Sequence, residues 1–140
     1  PNSPRSAWPR RLLTEGRTRG PPVVKSPARV LIVDRSHDSR EVLRTLLERR
    51  GAETVEVTNA RRGLRAVRQQ RPDLIVVNAM DAASDRGAAL ASAAGADTPI
   101  VVLGTISREQ RPLSGSVGVA KPYHYGRLVR KIETLLEKTA

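Results

Sequence analysis

Apolar residues in this chain fall either into short unbroken runs or into longer stretches where they recur every third or fourth position. The clearest run is Leu74-Ile75-Val76-Val77, opened by Pro72-Asp73 and closed by Asn78. A run this short between turn-forming residues predicts a strand buried on both faces, in the middle of a sheet. Ala28 to Val33 is a second such run, ending on Asp34, and predicts the first strand. Thr54 to Val57 alternates and suits a strand nearer the sheet edge. Pro99 to Leu103 predicts a fourth strand and Val117 to Ala120 a short fifth.

Helical spacing fills the intervals. Val42, Leu43, Leu46 and Leu47 repeat until Gly51, with Asp38 and Glu41 as an N-terminal capping pair and Arg40, Arg44 and Arg49 toward solvent. Asn59 can cap a helix over about 60–70, in which Leu64 and Val67 face inward and Arg61, Arg62, Arg65 and Arg68 cover the outside; Pro72 stops it. Residues 79–84 read as a loop. Asp85 to Ala94 reads as an Ala-rich helix ending near Gly95, with Asp85 as its cap. Pro112 and Gly115 interrupt any helix over Ser107 to Ser116, and Lys121-Pro122 is a turn. His124 to Lys138 forms a last amphipathic helix with Leu128, Val129, Ile132, Leu135 and Leu136 on one side. Five strands alternating with helical slots predict a parallel sheet covered on both faces, with right-handed crossovers.

Composition adjusts this picture at the amino terminus. Residues 1–28 carry six of the ten prolines and a net charge of +5, from six basic residues and one acid. Such a segment buries too little apolar surface to offset its ordering entropy, so it reads as a disordered tail ahead of one domain over 29–140. It can be a passive linker, or a basic arm for an acidic partner with Trp8 as its anchor. The whole chain has 25 Lys+Arg against 14 Asp+Glu, net +11, an excess that attracts anions at long range without naming one. Cysteine is absent, which excludes disulfides, a thiol nucleophile and thiolate metal sites, and His37 and His124 are too few for a multi-histidine centre. No run approaches the ~20 apolar residues of a membrane span, and no secretory signal opens the chain, so a cytoplasmic protein is expected. With Trp8, Tyr123 and Tyr125 as the whole aromatic complement, the core must be aliphatic.

The order of these elements and several local signatures resemble the receiver domain of bacterial two-component response regulators over about 28–138. Val30-Leu31-Ile32-Val33-Asp34 is similar to the family's first strand and its acidic end. Asp73 to Asn78 is similar to the third strand, Pro99 to Leu103 to the fourth, and Lys121-Pro122 to the family's Lys-Pro pair. The resemblance implies a flavodoxin-like (CheY-like) doubly wound five-stranded sheet of order 2-1-3-4-5, and a cis peptide before Pro122. The segment from Gly104 to Lys121 is shorter than usual for the family, which implies a shortened fourth helix.

What the resemblance implies chemically is magnesium-assisted phosphoryl transfer to an aspartate, and this chain departs from that pattern at most of its parts. The acceptor position holds Asn78, and a neutral amide is a far weaker nucleophile than a carboxylate. The family's two adjacent acids for magnesium become Asp34 and Arg35. A guanidinium ~5 Å from a divalent ion, in an effective dielectric of about 20, opposes binding by roughly 6–7 kcal/mol. Gly104 stands at the family's hydroxyl position, with Thr105 one place too far, and Gly118 stands at its aromatic switch. Asp34 and Lys121 match, and are expected to pair with each other. Asp81, three residues beyond Asn78, is expected on a different side of the loop and not as a substitute acceptor.

The expectation is therefore a degenerate receiver, a pseudo-receiver without catalysis or bound magnesium. It would act as a phosphorylation-independent protein-binding module toward a histidine kinase, another regulator or an output domain, as a monomer or weak dimer. A second reading is a nucleic-acid or anionic-surface binder using the tail and the Arg61, Arg62, Arg65 and Arg68 face. Against it stand the shortage of aromatics for base stacking and the lack of a recognition-helix motif. An active phosphoacceptor is a third reading, and a small anion held between Arg35 and Lys121 a separate one.

Overall fold

The computed structural model describes residues 27–104, 113, 115–120 and 124–138. The tail over 1–26, Trp8, the interrupted segment over 105–112 with its shortened helix, and the Lys121-Pro122 turn lie outside the described residues.

Five strands form one parallel sheet: β1 (Arg29–Val33), β2 (Glu53–Val57), β3 (Leu74–Asn78), β4 (Ile100–Leu103) and β5 (Val117–Val119), in the order β2-β1-β3-β4-β5. The helices are α1 (His37–Arg49), α2 (Ala60–Gln70), the single turn α3 (Ala79–Ala82), α4 (Asp85–Ala94) and α5 (Tyr125–Lys138). The three inner strands read as unbroken apolar runs because successive side chains enter opposite cores. Val30, Ile32, Leu74 and Val76 pack with Leu43 and Leu47 of α1 and Leu128, Ile132 and Leu136 of α5. Leu31, Val33, Ile75 and Val77 pack on the other face with Ala66 and Val67 of α2 and Leu90 of α4. Each fully buried Leu, Ile or Val contributes about 1.5–3 kcal/mol, so both layers are needed to hold the sheet. Strand β2 has no fully buried position, its residues being half-buried or exposed, as suits an edge strand.

Several local expectations change in three dimensions. The cap of α1 is Ser36, whose hydroxyl accepts from Ser39 N at 3.2 Å; the Asp38 and Glu41 pair does not cap it, though Asp38 lies in the first turn. Arg40 is not a solvent residue: it donates to the Asp34 carbonyl at 2.7 Å and to Glu56 at 3.3 Å, across to β2. Val42 is 41% exposed, because the buried stripe of α1 is carried by Leu43 and Leu47. On α2 the buried positions are Ala60, Gly63, Ala66 and Val67, with Leu64 only half-buried. Small residues win there because α2 lies close on the sheet: a Cβ at Gly63 would stand 3.1 Å from Val33 Cγ2. Residues 79–82 form a helical turn and not a loop, and the cap of α4 is Ser84 and not Asp85, its hydroxyl accepting from Gly87 N at 3.1 Å. Asn59 does cap α2, accepting from Arg62 N at 2.9 Å.

Candidate functional site

Strand register builds the site. Val33 pairs with Val77, and Asn78 with Leu103, so Asp34, Asn78 and Gly104 stand together at the carboxyl ends of three adjacent strands. In doubly wound sheets that edge is where ligands bind. Of the other expected members, Arg35 follows Asp34 on the same edge, while Thr105, Lys121 and Pro122 lie outside the described residues, and with them the expected Asp34 to Lys121 pair and the anion between Arg35 and Lys121.

Asp34, Asn78 and Gly104 each make a hydrogen bond on this edge. Asp34 Oδ1 accepts from Ser36 N at 2.9 Å, closing a tight turn into α1. Asn78 caps α3, its Oδ1 accepting from Asp81 N at 2.8 Å. Gly104 donates its N–H to the Val119 carbonyl at 2.8 Å and has φ +106°, a conformation that L side chains rarely adopt. The family's hydroxyl is thus missing from a backbone that disfavours any replacement. At Gly118 an added Cβ would meet no atom of the described residues within 4 Å.

The member that sequence reasoning misjudged is Asp81. Its backbone N–H binds Asn78, and its carboxylate is turned into the protein, 5% exposed, the one buried charged side chain among the described residues. Asp81 Oδ1 accepts from Ala60 N, the first residue of α2, at 3.1 Å. Asp81 Oδ2 has no hydrogen-bond partner but lies 3.9 Å from Arg35 Nε, too long for a hydrogen bond and within reach of charge attraction. The Arg35 side chain is 66% exposed, so solvent screens much of that attraction. Three loops at the strand ends are therefore tied to one another through Asp81: one carrying Arg35, one opening α2, and α3 itself. The only hint in the sequence was an acid one helical turn after an Asn that can cap.

Asp34 is turned into its own loop, its neighbour is a cation, and no group of three or more His, Cys, Asp or Glu among the described residues is placed to hold a metal. The Arg61, Arg62, Arg65 and Arg68 face is exposed on α2. Among the described residues no helix is long and apolar enough to cross a membrane.

No protein-family model and no curated protein sequence matches the chain. Solved structures do. A response regulator receiver protein from Sinorhizobium medicae superposes with a TM-score of 0.70 at 17% identity, covering 82% of this chain and 98% of that one. The Francisella response regulator 1452 receiver domain gives 0.64 at 20% identity, covering 81% and 99%. NtrX from Brucella abortus, solved in complex with ADP, gives 0.65 at 25% identity, covering 80% of this chain; the present chain spans only 27% of NtrX. The fold of this chain is accordingly that of the response regulator receiver domains, a flavodoxin-like doubly wound sheet.

Proposed function

We propose that the chain is a pseudo-receiver: a non-catalytic, phosphorylation-independent protein-interaction module of two-component signalling, working in the cytoplasm without magnesium. The observation that carries this reading is the state of Asn78. It occupies the acceptor position at the end of the central strand, it lacks the charge that attack on phosphorus needs, and its oxygen is occupied by the Asp81 N–H. Arg35, Gly104 and Gly118 support the same reading, since each replaces a part of the phosphoryl machinery with a group that cannot do its work.

A domain that neither accepts a phosphoryl group nor binds the metal retains the other use of this fold, presenting helices to a partner. Its partner would be a histidine kinase, another regulator or an output domain. Exposing the protein to acetyl phosphate, or to beryllium fluoride, with magnesium tests the reading. Unchanged mass and unchanged NMR resonances around Asn78 are expected; saturable perturbation there, or a phosphorylated species, would overturn it.

A further inference from the structure

Among the described residues, Arg29 pairs with Glu53 at 3.1 Å, Arg40 with Glu56 at 3.3 Å, Arg44 with Glu56 at 2.9 Å, and Arg50 with Glu133 of α5 at 2.8 Å, while Arg49, Arg86, Arg127 and Arg130 stand singly without a salt bridge. Helix α2 contains no acid at all, and none of Arg61, Arg62, Arg65 and Arg68, nor Arg71 at its C-cap, makes a salt bridge among the described residues. At ~100° per residue, Arg61, Arg65 and Arg68 share one stripe, with heads stepped along the axis by about 6 and 4.5 Å.

That stripe runs into a cleft of about 380 Å³ at the amino ends of β3 and β4, the opposite edge of the sheet from Asn78. Arg68 and Arg71 line it, with Pro72, Ala93, Ala94 and Thr98. Arg71 is the one described residue other than glycine with positive φ, at +48°. Glycine is the residue favoured at such a helix C-cap, so a strained arginine there points to a use for its side chain.

We infer that the α2 stripe and the Arg68–Arg71 cleft form a docking site for an extended acidic segment of a partner protein. The inference rests on the reading of this chain as a protein-binding module, and it names the face and the partner chemistry. Carboxylates on alternate residues of an extended chain recur about every 6.6 Å, close to the arginine spacing, and guanidinium forks bind carboxylates in bidentate geometry. One row of cations matches one row of carboxylates. A nucleic-acid duplex presents two phosphate strands, and the neighbouring surface of α4 adds one exposed cation, Arg86, beside the exposed Asp85, and no second row.

The test is an NMR titration of the full chain at low salt with a short end-blocked peptide bearing glutamate at every second position. Saturable shifts are expected over 61–71 and 93–98. Arg65→Glu with Arg68→Glu should weaken binding by about tenfold or more, the equivalent of one lost charge-assisted hydrogen bond. Arg71→Gly should hold or raise Tm, because it relieves the backbone, while weakening the peptide; a merely structural arginine would leave binding unchanged. Absence of saturable shifts on this face, shifts confined to the amino-terminal tail, or tighter binding there of duplex DNA or anionic vesicles would each overturn the inference. Phosphoryl uptake is read separately, by mass and at Asn78 on the other edge of the sheet, so either reading can fail alone.

Discussion

Asn78→Asp restores the nucleophile and nothing else, which makes it the sharpest perturbation of the candidate site. Asp caps a helix as well as Asn, so the bond from Asp81 N, now 2.8 Å long, survives. The cost is charge. Side chains three apart on a helix stand about 5–6 Å from one another, and two carboxylates at that distance in an effective dielectric of about 20 repel by roughly 3 kcal/mol. The Arg35 guanidinium, 3.9 Å from Asp81 Oδ2, offsets part of this, leaving a destabilisation of about 1–2 kcal/mol. The same guanidinium opposes a divalent cation. Halving the ~6–7 kcal/mol repulsion for the exposure of Arg35 leaves about 3 kcal/mol, roughly two orders of magnitude in affinity. The variant should therefore fold, with a lower urea midpoint, and still take up no phosphoryl group from acetyl phosphate at millimolar magnesium, as read by intact mass. Magnesium-dependent uptake by Asn78→Asp alone would refute this reasoning, because it would mean that Arg35 does not guard the site.

Two further substitutions probe the backbone around it. Gly104→Ser returns a hydroxyl to the end of β4 but forces a side chain onto φ +106°; a loss of about 1–3 kcal/mol in urea denaturation is expected, with no gain in phosphoryl or metal binding. Gly87→Ala adds a Cβ that would overlap the carbonyl oxygens of Asp81 and Ala82. The gain of up to about 1 kcal/mol in helix propensity is outweighed there, and a net loss of about 2 kcal/mol is expected in the same assay; an unchanged or raised midpoint would contradict the described packing of α4 on α3.

The strands were legible because a doubly covered parallel sheet writes itself as unbroken apolar runs, and β1, β3 and β4 lie within a residue or two of where those runs stand. The Asn59 cap and the end of α4 at Gly95 were legible for a similar reason: both are fixed by neighbours along the chain. What was misread depends on partners distant in sequence. Arg40 looked like a solvent residue until β2 brought Glu56 beside it, and Asp81 looked like a loop acid until α2 offered the Ala60 N–H. Ser36 displaced the Asp38 and Glu41 pair because the turn closed by Asp34 sets the start of α1 two residues earlier. In the candidate site, the meeting of Asp34, Asn78 and Gly104 followed from strand order, whereas the link from Arg35 through Asp81 to α2 follows from side-chain direction, which no spacing rule encodes.

The largely aliphatic character of both packed layers has a practical outcome for anyone following this protein in solution. Its single indole belongs to Trp8, ahead of the first strand, and the described ring that touches the interior is the phenol of Tyr125 at the head of α5. The described sheet and helices therefore contain no indole of their own. The faithful spectroscopic witnesses are the methyl groups of leucine, valine and isoleucine on either side of β1 and β3.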